Sequence, residues 1–176
     1  MQALTRSYYY IAALTLIFFL SDNSCFGNDD SLKVRRNIIR LAKKISHSKI
    51  LIEGPVGFGA TITKQFERFM VLEKEATDTE LIIFTNHKSA IVRVGAFDIL
   101  MGRNYKDIKT ILENHISDTT YFDYQVGCIR MSNRVNQYFL GRLTRTTNRI
   151  RNFTLSDEEI EYYNNKISQS LRKQIE

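Results

Sequence analysis

The sequence predicts an all-α fold built from antiparallel helix pairs stacked on one another. Three observations carry this expectation. Apolar residues recur at spacings of three and four along most of the chain, the period of one helix face. One proline and eight glycines in 176 residues are too few for a turn-rich β fold. No stretch offers a convincing ladder of alternating strands. Hydrophobic residues make up 43% of the chain, including nine Tyr and eleven Phe, so there is material for a real core.

The first residues stand apart. The apolar run from Tyr8 to Leu20 follows Arg6 and precedes the small, polar stretch "SDNSCFG". It is shorter than the roughly 20 residues a membrane span needs. A short apolar segment behind a positive end, followed by small residues, reads as a secretory signal over residues 1–27, cleaved after Gly27. A retained anchor, or lipid attachment at Cys25, is the alternative. Either way the chain is expected to be exported: periplasmic, secreted or membrane-anchored. With Cys25 removed, Cys128 is left without an internal partner. Its apolar neighbours in "YQVGCIRM" predict a buried, inert thiol.

Residues 28–61 read as an N-terminal helix and a glycine-containing connector. Val34, Ile38, Leu41 and Ile45 form one apolar stripe, with Lys33, Arg35, Arg36, Arg40, Lys43 and Lys44 on the other faces. Residues 62–152 read as the helical core. Ile62, Phe66, Phe69 and Met70 give a second stripe, with Thr61 or Thr63 starting the helix. Thr77 and Glu80 have capping-box spacing, which starts the next helix near Asp78. Val92, Ala96, Ile99 and Leu100 share one face, and "MGRN" stops that helix, since Gly102 and Asn104 tolerate a left-handed cap. Another stripe starts at Tyr105. "SDTTYFDYQVGC" reads as a long turn with Asp118 and Asp123 as turn formers, and Ser132 as the cap of a helix carrying Val135, Phe139 and Leu143. Residues 153–176 read as a C-terminal capping helix. It opens on the box "SDEE" and is followed by Ile160, Tyr163, Ile167, Leu171 and Ile175.

The stretch "GPVGFGAT" (Gly54 to Thr61) nearly has the spacing of a phosphate-binding loop. Ala60 stands where the lysine belongs, and Lys64 is a turn too late. Without that lysine, a parallel sheet behind it and a later acidic metal ligand, the stretch reads as a connector. Nucleotide binding is not expected, even after Ala60→Lys.

The segment "LIIFTNHKSAIVRVGAFDIL" resembles a HEAT repeat. Leu81 and Ile82 match the first helix, and Val92, Arg93, Ala96, Ile99 and Leu100 match the second. It departs from the repeat at Lys88 and Ser89, where Asp-Pro is usual, and at Gly95 inside the second helix. The wider run from Lys64 to Leu140 is similar to a group of exported bacterial HEAT-like proteins. That resemblance implies a HEAT-like α-α superhelix and no known activity. Within the pair, Ala96 would let two helices approach closely, and Arg93 would bond the carbonyls or side chains of the adjacent turn.

No catalytic, cofactor-binding or metal-ligating residues are assigned. His47, His87 and His115 lie in no zinc-type spacing, and Glu113 and His115 would face apart on a helix. Arg142, Arg145 and Arg149, with Arg134 nearby and Tyr138 among them, suggest a basic partner-binding strip in a chain of net charge +6. The expected function is therefore a non-enzymatic binding or scaffold module for another protein. A basic module for an anionic polymer or membrane surface is the alternative, the membrane being reached through the N-terminal segment if it is retained or lipidated. A small hydrolase is the third reading, to be revived by a pocket of clustered side chains with shifted pKa values.

Overall fold

The computed structural model describes residues 33–57, 59–144 and 155–172. Met1–Lys33 and Val34–Glu176 are separate units, and every helix and strand named here lies in the second. Among the described residues there are seven helices and one three-stranded sheet. In chain order these are α1 (Arg36–Ser46), β1 (Ile50–Ile52), α2 (Lys64–Glu75), α3 (Asp78–Thr85), α4 (Ala90–Gly102), α5 (Ile108–Asn114), β2 (Tyr121–Val126), β3 (Ile129–Arg134), α6 (Val135–Thr144) and α7 (Asp157–Arg172). The fold is thus mixed α/β, and the all-α superhelix is overturned by the sheet. β1 belongs to the same unit as the helices after it.

The sheet order is β1-β2-β3. β1 runs parallel to β2, with Leu51 opposite Tyr124, and β2 runs antiparallel to β3, with Tyr124 opposite Met131. β2 occupies the stretch expected to be a turn. Its Phe122 and Tyr124 alternate into the core while Tyr121 and Val126 stay exposed, the two-residue period of a half-buried strand. Gly127, at φ +58°, opens the tight turn into β3, where a left-handed residue matches the strand twist. Asp123 therefore sits in a strand, where it accepts bonds from Arg130 and Ser132, so Ser132 is a strand residue and not a helix cap. Cys128 lies in the turn and is exposed, against the expectation of burial.

α4 is the centre. From Ala90 to Met101 every residue but Asp98 is buried, because α1, α3, α5, α6, β1 and β2 all pack on it. A helix surrounded on all sides is apolar all round. Val92, Ala96 and Leu100 are fully buried, and Phe97 stacks face to face on Phe139 of α6 at 3.8 Å. Gly95 is required by packing: a Cβ there would meet the Phe69 ring of α2 at 2.0 Å.

Local signals explain the helix starts. Thr63 caps α2 by accepting from the Phe66 amide, and Thr77 with Glu80 forms a full capping box on α3. Ser156 and Glu159 exchange the same pair of bonds ahead of α7, whose Tyr163 and Ile167 are buried; Ile175 lies outside the described residues. Asn104, at φ +55°, ends α4 in the left-handed region. Glu80 also takes a forked pair of bonds from Arg35, at 2.9 and 2.7 Å, tying the start of α1 to the start of α3. That guanidinium holds the Glu80 carboxyl down at about 2. Arg93 bonds the carbonyls of His87 and Lys88 in the turn before α4, and pairs with Asp118 at 2.8 Å.

Candidate functional site

The glycine stretch does not form a phosphate cradle. Val56 and Thr61 bond each other's backbone in both directions, and the Ala60 amide bonds the Gly57 carbonyl, so three amides that could face a phosphate are already occupied. A parallel strand pair, β1 with β2, does stand behind it, contrary to expectation, but α2 begins only at Lys64 and leaves no helix start at the loop. What β1 delivers instead is Glu53. The Glu53 amide bonds the Gln125 carbonyl and extends the β1–β2 ladder by one residue, and Gly54, at φ +95°, then turns the chain away.

Glu53 lies on the floor of a cleft of about 270 Å³ between β1, α2 and α4. Phe66, Phe69 and Met70 of α2 supply apolar wall, and Gly95 and Ile99 line the α4 side. Asp98, the one acid on α4, is on the same floor, as is Arg142 of α6. Behind them Tyr138, one turn before Arg142, is 4% exposed and locked edge-to-face against Phe122 and Tyr124. The sequence periods explain the meeting: inward positions of β2 clamp an inward position of α6, and the neighbouring turn of α6 carries the arginine.

The bonding in this cluster has one decisive feature. The Tyr138 hydroxyl oxygen lies 2.6 Å from Glu53 Oε1 and 2.8 Å from Asp98 Oδ2. A phenol has one proton and donates to one of them. The other short contact needs a second proton, and burial places it on Asp98, whose carboxyl is pushed up to about 6; the Glu53 charge adds to the shift, and Arg142 opposes it. Below that pKa Asp98 Oδ2–H donates to Tyr138 and Tyr138 donates to Glu53; above it the two carboxylates compete for the single phenol proton. Arg142 Nε donates to Asp98 Oδ1 at 2.8 Å, and its Nη1 lies 3.7 Å from Glu53 Oε2, too far for a hydrogen bond. Burial also raises the Tyr138 phenol, so it stays a donor.

A pH dependence results. Asp98 has a folded pKa near 6, above its ordinary value of 3.8. A carboxyl raised in this way stabilises the fold fully below the unfolded pKa and loses that contribution as pH rises through the folded one. The substitution Asp98→Asn mimics the protonated acid: the new side-chain amide donates to Tyr138 through its nitrogen and accepts from Arg142 through its oxygen. Urea melts should show the variant gaining about 2 kcal/mol on wild type between pH 4.5 and pH 7. Other groups, such as His87, whose pKa burial lowers, are common to both proteins and cancel in the difference.

Of the expected basic strip, only Arg134 and Arg142 lie among the described residues. Arg142 points inward to Asp98 and Glu53, while Arg134 stacks on the Tyr121 ring at 4.7 Å. Arg145 and Arg149 lie outside the described residues. Glu53 and Asp98 were not singled out from the sequence, and Tyr138 only as a neighbour of the basic strip. The available signal was Asp98: a lone acid in the apolar run "AIVRVGAFDIL" must find a partner when that helix is buried on every side. Among the described residues no group of three or more His, Cys, Asp or Glu is placed to hold a metal, and no helix is long and apolar enough to cross a membrane. No family model, no curated protein and no solved structure matches the chain.

Proposed function

We propose that the protein is a binding module whose recognition site is this cleft, and that it takes an ammonium or guanidinium group carried on an apolar stem. One observation supports it above the rest: among the described residues Glu53 Oε2 has no donor within hydrogen-bond distance, at the floor of an apolar-walled cleft. The lining carries three carboxyls, on Glu53, Asp98 and Glu73, against the single guanidinium of Arg142. This is a locally acidic spot in a protein of net charge +6. The head group can be a free alkylamine or a Lys or Arg side chain of a partner protein. Exposed Met70 and Val71 of α2, and Ile62 just before that helix, would enlarge the apolar contact for a protein partner. Export, drawn from the Tyr8–Leu20 run, remains the proposed setting.

Calorimetric titration tests this. Hexylamine, with seven heavy atoms at somewhat under 1 kcal/mol each, should bind with a dissociation constant of about 0.2 mM. Hexanol, which fills the same volume without the charge, should bind at least about tenfold more weakly, and Glu53→Gln should remove the difference. A lysine-bearing peptide that binds far more tightly than hexylamine identifies a protein partner. Equal binding of amine and alcohol, or none of either, rejects the reading.

The shared proton favours a second reading. An acid and a carboxylate joined through Tyr138 are the pair that hydrolysis by general acid–base catalysis uses. Turnover of chromogenic ester or glycoside substrates that disappears in Asp98→Asn would establish it over simple binding.

A further inference from the structure

We propose that the outward face of α1 docks on the anionic headgroups of a lipid bilayer. α1 reads "RNIIRLAKKIS" and contains no acid. Ile38, Ala42 and Ile45 are buried against the core. Arg36, Arg40 and Lys43, at spacings of four and three, fall on the opposite side with Lys44 beside them, and all four are exposed. Among the described residues none of the four has an acidic partner within 4.0 Å. Arg68 of α2 adds a fifth cation at the end of the helix, its guanidinium bonded to the Lys44 carbonyl at 3.2 Å. At the margin of the strip Ile39 is 49% exposed, an apolar side chain placed to enter the headgroup layer.

The rest of the chain points to a bilayer as the occupant. The apolar run ends at Leu20, and 15 residues, Ser21 to Arg35, separate it from α1. Fully extended they span at most about 50 Å, so any bilayer that takes up the run keeps α1 within reach of its surface. A juxtamembrane cluster of four to eight cations is the pattern that anionic lipid attracts. Single-stranded nucleic acid, by contrast, is gripped by cations interleaved with aromatic stacking platforms, and α1 carries no aromatic residue. The face is remote from the chemistry of the cleft, none of whose lining residues is on α1, so the two proposals stand or fall separately.

The test is co-sedimentation of the full chain with vesicles of phosphatidylcholine alone and of phosphatidylcholine mixed with phosphatidylglycerol. The apolar run contributes equally on both, so the ratio of the two partition coefficients reads the headgroup term. Wild type should favour the anionic vesicles at least about tenfold at low salt, and the preference should vanish near 0.5 M salt, on the order of the concentration at which the screening length shrinks to a few ångströms. The variant carrying R36Q, R40Q, K43Q and K44Q should partition equally on both. R40Q with K43Q should fall between. Equal partition of the wild type, a preference that survives in the quadruple variant, or a preference confined to duplex DNA with none for anionic vesicles overturns the proposal.

Discussion

Arg142→Ala is expected to be the most damaging single change in the cleft, costing about 3 kcal/mol at neutral pH. It removes the one cation from a floor holding Glu53 and Asp98 around a buried tyrosine, and leaves Asp98 Oδ1 without its 2.8 Å donor. The sign of the pH dependence is the check that this is an electrostatic loss. Once Asp98 is protonated the missing charge matters less, so the deficit should shrink toward pH 5. Arg142→Lys should recover only part, because an ammonium cannot copy the Nε–H contact from the same helix position. Urea midpoints at pH 5 and pH 7.5 give both numbers. A deficit that is the same at both would mean that Arg142 acts through packing on Tyr138, whose ring lies 5.8 Å from its guanidinium carbon, and not through charge.

Ala96→Leu should cost about as much, for a different reason. Ala96 is fully buried in the helix at the centre of the packing, with Val92 and Leu100 equally buried on either side. Three added heavy atoms have no void to enter, so α4 must move against its neighbours. The overpacking should lower stability by up to about 3 kcal/mol, and the melting temperature by roughly 10 °C. Ser89→Leu adds similar bulk at the half-buried residue before α4, whose side chain makes no capping bond, and should shift the melt by far less. Equal melting temperatures for the two variants would mean that α4 is not the packed centre of the fold.

The sequence was legible where structure is local. Capping boxes at Thr77/Glu80 and Ser156/Glu159 use residues three apart, and both form. The stripe of Val92, Ala96 and Leu100 is a helical period, and Arg93 reaches back to the turn just before its own helix. The sheet was not legible because its pairings are distant. Ile50–Ile52 is three residues long, too short to show any alternation, and acquires its identity from Tyr121–Val126 some 70 residues on. β3 is nearly all exposed, so it carries no apolar period to detect. The "QVGC" turn signal, with Gly at the first turn position, was the one local hint of a hairpin. The candidate site was hidden for the same reason. Glu53, Asp98, Tyr138 and Arg142 come from a strand end and two helices, and only the sheet brings them together. Arg142, seen on its own, had the spacing of a solvent-facing strip; its ion pair with half-buried Asp98 turns it inward.

The proton shared by Asp98, Tyr138 and Glu53 is the hinge of the functional account, and carboxyl carbon NMR measures it directly. In the free protein the Asp98 carboxyl should titrate near pH 6. Saturating hexylamine should move that midpoint downward, because a bound cation favours the ionised acid. An Asp98 midpoint in the ordinary range near 4, unmoved by the amine, would contradict both the shared proton and the cleft as a cation site.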